Sequence, residues 1–282
     1  MHLIMFSKML GEFDVSRAGD IIKELGFEGV DLTCRTGGHV LPENVVEDLP
    51  VAVKTLRDKG LHVPMLTTEI LSADEPHTEN IFRMAAECQV PHLKLGYHRY
   101  IEFGTLRDVM DDTRIKLRGL SRLAKKYGVS ANVHIHSGTF IGALGPIVYM
   151  LIEEFNPAHI GAYVDPGHMF NEGGLSGWQM SLDMLAGRIN LVAAKSMGWE
   201  RTDNEDGTAT WRNRMYPLYQ GMVQWKKVFE CLKAADFDGP VSLHSEYQGA
   251  HSWKDLTTDE LIAQTRKDLE YIRGVIDEVY GA

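Results

Sequence analysis

Cysteine is scarce. The chain has three, Cys34, Cys88 and Cys231, far apart and without a CxxC pair, which argues against a disulfide framework or a thiolate zinc site. The expected state is reduced thiols, mostly packed as small hydrophobes. Positive charge is also short, with 29 Lys and Arg against 39 Asp and Glu and a formal net charge of −10. Sequence-independent binding to nucleic acid or to an anionic membrane uses clustered cations, so neither partner is expected. No apolar run approaches the ~20 residues that span a bilayer. There is no Walker or dinucleotide fingerprint, so no nucleotide cofactor is expected. There is no GxSxG, and no Cys stands beside a His in sequence, so covalent serine or thiol catalysis has little support. No cationic segment precedes an apolar signal-like run, and the chain reads as cytoplasmic, with a removed signal peptide left open.

What is present is a repeated theme. Hydrophobic residues make up 44% and charged residues 24%, the balance of a folded soluble chain rather than a disordered one. An amphipathic helix ends near a Gly and a short apolar strand follows. This happens at Gly26-Phe27-Glu28-Gly29-Val30-Asp31, at Gly60-Leu61-His62-Val63, at Gly128-Val129-Ser130-Ala131 and at Gly239-Pro240-Val241-Ser242. Gly after the last turn takes the left-handed cap at little steric cost. Short, nearly continuous apolar strands suit a parallel sheet covered on both faces. The pattern predicts eight strands, near 2–6, 28–33, 61–67, 91–96, 129–135, 159–164, 189–195 and 240–245. Helical patterns alternate with them, near 14–25, 43–59, 78–88, 105–127, 141–154, 178–187, 222–235 and 258–279. Eightfold β-α alternation over 282 residues predicts an α/β chain folded as a single (β/α)8 TIM barrel spanning 1–282, with a doubly wound sheet as the competing layout. Only 196–221 lacks a clear period. It is expected to be a long loop, and a connection of that length tends to be functional.

Active sites of such barrels lie at the C-terminal ends of the strands. Those positions hold Lys8, Asp31, Thr33 and Arg35, then Thr67 and Glu69, then Lys94 and Tyr97. The second half of the chain adds His134, His136, Asp165, His168, Lys195, His244 and Glu246. Six of the twelve histidines fall here: His39, His98, His134, His136, His168 and His244. Strand alternation puts His134 with His136 on one face and His244 with Glu246 on another. If both faces point inward, imidazoles and carboxylates converge at the barrel mouth. That donor mixture suits Zn, Mn, Fe or Co, whereas carboxylates with few imidazoles would suit Mg. Lys94 and Lys195 on inward faces are costly to bury unless paired, which makes them candidates for substrate or catalytic contact. Trp178, Trp199, Trp211 and Trp253 follow strands six, seven and eight, and an aromatic face suits the C–H face of a sugar.

At these residues the sequence resembles the sugar phosphate isomerase/epimerase group of xylose isomerase-like barrels, over nearly the whole chain. The carrying segments are Gly26-Phe27-Glu28-Gly29-Val30-Asp31-Leu32, Ala162-Tyr163-Val164-Asp165-Pro166-Gly167-His168, and Pro217 to Tyr247 with Gly239-Pro240-Val241-Ser242-Leu243-His244-Ser245-Glu246. The resemblance implies that Asp165 is a metal ligand and that His168 contacts substrate. It also implies a Glu from strand five, a His from strand seven and a Glu from strand eight. Here those positions are His134, Ala193 with Lys195 two residues on, and His244 with Glu246 two residues on. The implied site is a remodelled one, either holding a divalent metal through His134, Asp165, His244 and Glu246 or holding none.

The expected function is isomerisation or epimerisation of a free or modified carbohydrate by proton transfer next to a carbonyl, metal-assisted. His134, His168, Lys195 and Glu246 are the catalytic candidates; Arg35, Lys94, His136 and Trp199 are the substrate contacts. A keto-sugar lyase or dehydratase and a non-catalytic sugar-binding barrel are the alternatives. The expected partner is a small carbohydrate, and homo-oligomerisation is left open.

Overall fold

Helix-closing glycines set the rhythm of the chain. In the computed structural model, which describes residues 1–281, Gly26 ends the first helix at φ +96° and Gly128 ends the longest early one at φ +69°. Both are left-handed positions that a Cβ would strain. Strands β1 (His2–Phe6), β2 (Gly29–Thr33), β3 (His62–Thr67), β4 (His92–Lys94), β5 (Ser130–His134), β6 (Ile160–Val164) and β7 (Ile189–Ala194) pair in parallel, each with the next. A later strand, β10 (Pro240–Leu243), pairs with β7 on one side and β1 on the other and closes the barrel. Every residue of β2, β6 and β10 is buried, as a sheet covered on both faces requires.

Among the described residues, eight of nine α-helices lie along the sequence as the helical periods predict. They are α1 (Val15–Leu25), α2 (Val45–Asp58), α3 (Thr78–Glu87), α4 (Leu106–Tyr127), α5 (Gly145–Ile152), α7 (Gly177–Leu185), α8 (Trp225–Ala234) and α9 (Thr258–Tyr280). Asp14 caps α1 through its side chain, and Thr257 with Glu260 forms a reciprocal capping box at α9, satisfying backbone donors that a helix start leaves open. Apolar residues split between two layers. The larger cluster lies between sheet and helices, while Ile4, Met65, Tyr163, Leu191 and Ala193 fill the barrel interior. Among the described residues no helix is long and apolar enough to cross a membrane.

Two elements depart from the expected layout. The segment 196–221 is not a loop throughout. Strands β8 (Ser196–Asp203) and β9 (Ala209–Tyr216) form an antiparallel hairpin with Ser196 opposite Tyr216 and Asp203 opposite Ala209. Its turn uses Gly207 at φ +82° and an Asp206 carboxylate that accepts from the Thr208 N–H at 2.9 Å. The base of the hairpin is buried, with Met197 and Met215 packed on Tyr247, but its outer half is exposed. A ribbon wet on both faces needs no apolar alternation, which is why no period marks it. The second departure is α6 (Pro166–Gly173), a short helix directly after β6 where the sequence pattern predicts one only from 178.

Candidate active site

Helix α6 explains the Asp-Pro-Gly-His segment residue by residue. Asp165 is the N-cap, and its Oδ1 accepts from the His168 N–H at 3.2 Å. Pro166 fills the first helical position, where a missing N–H costs nothing. Gly167 lets the helix start press on the next strand: a Cβ there would stand 2.7 Å from the Lys195 carbonyl oxygen. Capping uses one carboxylate oxygen and leaves Oδ2 facing the barrel axis.

Oδ2 of Asp165 is a meeting point. Lys195 Nζ lies 3.1 Å away and His134 Nε2 3.3 Å away. The same Nζ lies 3.3 Å from Glu246 Oε2, and Lys8 Nζ donates to Glu246 Oε1 at 2.7 Å. After β10 the chain turns tightly, with the Glu246 N–H on the His244 carbonyl, so both His244 and Glu246 reach the barrel mouth. Burial pulls the Lys195 ammonium toward neutrality, but Asp165 and Glu246 outweigh it and raise its pKa above 10.5. Burial alone would raise the Glu246 pKa; Lys195 and Lys8 overcome it and hold the carboxylate well below 4.5. Both groups are therefore ionised at neutral pH.

Three of the imidazoles, His134, His136 and His168, are neutral. Burial, then the nearby Lys94 and Lys195, push His134 well below 6.5; burial, then Lys195, does the same to His168. Burial takes His136 down to about 4. A neutral His134 donating Nε2–H to Asp165 must accept at Nδ1, where the Tyr97 hydroxyl lies at 2.9 Å. That fixes the tautomer. Below this layer Asp31 accepts from the Thr67 hydroxyl at 2.7 Å and the Ser242 hydroxyl at 2.9 Å. His244 Nε2 lies 2.9 Å from the Tyr163 hydroxyl, and its ring stacks on Phe6.

A cavity of about 110 Å³ opens above this floor. Of the residues picked out from the sequence, Arg35, Lys94, His134, His136, Lys195 and Glu246 line it, as does His244. His168 stands behind His136, ring centroids 3.9 Å apart, with Ser137 Oγ 2.6 Å from its Nδ1. Trp199 sits on the hairpin, 45% exposed and away from the cavity lining. Lys8, Tyr97, Asp31 and Tyr163 also build the site. The first three stand at strand ends that the sequence pattern marks, and Tyr163, two residues before Asp165, shares its inward parity; nothing in the pattern assigns them a role. A larger groove of about 430 Å³ lies outside the barrel near Gln179, Met180, Asp183 and Cys231. It gathers no imidazoles or cations.

The donor set does not fit a divalent metal as it stands. Of His134, Asp165, His244 and Glu246, His244 is set apart: its Nε2 faces Tyr163 and Asp31 (3.7 Å) instead of Asp165. The Lys195 ammonium occupies the space between Asp165 and Glu246 where a bridging cation would bind. Among the described residues no three His, Cys, Asp or Glu side chains form a metal-ligand group.

Fold and site together define a (β/α)8 barrel with a polar, charged pocket at the C-terminal ends of its strands. The sequence matches the xylose isomerase-like TIM barrel family over residues 20–274, and the chain belongs to that family. Similar solved structures include 3-keto-D-glucoside 4-epimerase from E. coli, at 14% identity and TM-score 0.71, covering 97% of this chain and 99% of that one. L-ribulose 3-epimerase is similar at 15% identity and TM-score 0.74, covering 99% and 95%. A probable 3-DHS dehydratase from Bacillus anthracis is similar at 16% identity and TM-score 0.67, covering 96% and 99%. No curated protein matches the chain significantly in sequence.

Proposed function

We propose that this protein is a carbohydrate isomerase or epimerase that moves a proton at the carbon next to a carbonyl. The carrying observation is the buried, charged Lys195 held between Asp165 and Glu246 beside neutral imidazoles. An ammonium fixed in a water-poor pocket stabilises the negative charge that grows on a carbonyl oxygen as the neighbouring carbon loses its proton. Glu246, kept ionised, takes that proton, and the carboxylic acid so formed returns it, to the neighbouring carbon or to the other face of the planar intermediate, while neutral His134, held by Asp165 and Tyr97, fixes Asp165 against Lys195. His168 orients the Asp165 and His136 side chains, and His136 contacts the sugar hydroxyls. Trp199 meets only a substrate long enough to reach the hairpin. Lys195 thus supplies the positive charge that a metal would bring.

A lyase or dehydratase is the second reading. One carboxylate and one imidazole make an unequal acid/base pair, suited to losing a leaving group after the first proton is removed. Incubation with a panel of keto-sugars in deuterium oxide, followed by NMR, tests both. Deuterium at the carbon next to the carbonyl, with an epimer or isomer as product, is the expected result. A conjugated enone absorbing in the ultraviolet would move the assignment to the lyase. No exchange and no product with any sugar would overturn both and leave a sugar-binding barrel.

A further inference from the structure

The positive side chains around the cavity fall into two groups. Lys195 and Lys8 are neutralised by Asp165 and Glu246. Lys94 and Arg35, on the β2–β4 side, are not. Lys94 is 2% exposed, yet among the described residues its ammonium has no carboxylate within 4.0 Å. Its contacts are the Thr68 carbonyl at 3.5 Å and the face of the Tyr97 ring, 3.7 Å from the centroid. Among the described residues Arg35 forms no ion pair either, and its Nε is buried without a hydrogen-bond partner. Both side chains line the cavity. Asp31 and Glu69 act on Lys94 only at longer range, with the Asp31 oxygens turned to the Thr67 and Ser242 hydroxyls.

Two cations side by side in a pocket, without a counter-anion in contact, are costly in the free protein. The cost is visible at Lys94, which burial and then Arg35 pull down to about 7. We propose that Arg35 and Lys94 form an oxyanion subsite, so that the substrate of the reaction proposed above is an acidic sugar whose carboxylate or phosphate sits between them. Arg offers a planar fork of donors and Lys a point charge, the usual complement to either group. The cavity is small, about 110 Å³. The anion therefore lies close to the carbons that react, and the opposite wall carries Lys195 and Glu246.

Binding can be measured apart from turnover. Calorimetry with D-glucuronate, glucose 6-phosphate and D-glucose compares a carboxylate, a phosphate and a neutral ring. At least one acidic sugar is expected to bind about tenfold or more tighter than glucose, as charge-assisted hydrogen bonds imply. Whichever acid binds tighter identifies the anion. Lys94→Met and Arg35→Gln are each expected to bring the acidic-to-neutral ratio down toward one, and Lys94→Arg to retain it. If Lys94→Met fails to fold, Arg35→Gln, at a half-buried position, decides alone. Equal affinity for glucose and both acids, or undiminished preference in the variants, overturns the subsite. If acids are preferred but no sugar exchanges deuterium, the subsite stands and the proposed reaction falls; exchange with neutral sugars and no preference for acids gives the reverse.

Discussion

Lys195→Met asks whether an ammonium is the resident cation of this barrel. The Met side chain keeps the length and apolar stem but removes the charge between Asp165, whose side chain is fully buried, and Glu246, whose side chain is 16% exposed. Removing one partner of a buried pair leaves the other charge uncompensated and costs about 3–5 kcal/mol. For a single domain of this size, 1 kcal/mol moves the melting temperature by roughly 2–4 °C, so Tm is expected to fall on the order of 10 °C. The variant also frees Asp165 Oδ2, Glu246 Oε2 and His134 Nε2 to share a cation. Manganese or zinc at about 100 times its Kd would return about 2.7 kcal/mol. Thermal melts with and without added metal, together with elemental analysis of both purified proteins, read this directly. Metal should raise Tm in Lys195→Met and leave the parent protein unchanged. A variant melting within about 2 °C of the parent, or a parent stabilised by manganese as strongly as the variant, would refute the reasoning.

Asp165→Asn separates the two duties of that residue. The amide still caps α6 but no longer balances Lys195, so turnover is expected to fall by about 10² or more, with a smaller Tm loss than Lys195→Met; comparable kinetics would argue against the charge. Gly167→Ala forces a methyl against the Lys195 carbonyl oxygen and should cost about 1–3 kcal/mol in urea unfolding, with a parallel loss of activity. Acid stability follows from His92, His98 and His136, each taken by burial from 6.5 to about 4. As pH falls below 6.5 the unfolded chain takes up these protons first, so the stability they contribute is complete above 6.5 and is lost on the way to 4. Urea midpoints that stay flat over that window would contradict the burial of these rings.

The barrel was legible because its signals are local and repeated. Gly26 and Gly128 had to close helices, and strands such as Val30-Asp31-Leu32 could only be covered on both faces. Strand-end counting also brought Arg35, Lys94, His134 and Lys195 to one cavity, whereas Glu246, beyond the end of β10, reaches it by a tight turn that alternation does not encode. What alternation does not carry is which charge pairs with which. Lys8 and Glu246 lie at opposite ends of the chain, and their contact exists only because β1 and β10 close the ring. The Tyr97 hydroxyl on His134 depends on the path of the chain after the three-residue β4, which no periodicity encodes. Helix α6 was readable in principle from its Asp cap and Pro, but a helix of eight residues is too short to show an apolar stripe.

The hairpin leaves the barrel at Ser196 and returns at Tyr216, and those two residues are partners in its own ladder. The insertion thus departs and comes back through a single doorway one strand spacing wide. Residue pairs can be added to or removed from its tip without altering the distance the barrel must span. Selection can therefore tune this ribbon by length alone, independently of the Lys195 pocket below it. Related chains can be expected to differ most in how far this ribbon extends, and a laboratory graft of a shorter or longer ribbon should leave the eight-stranded ring intact.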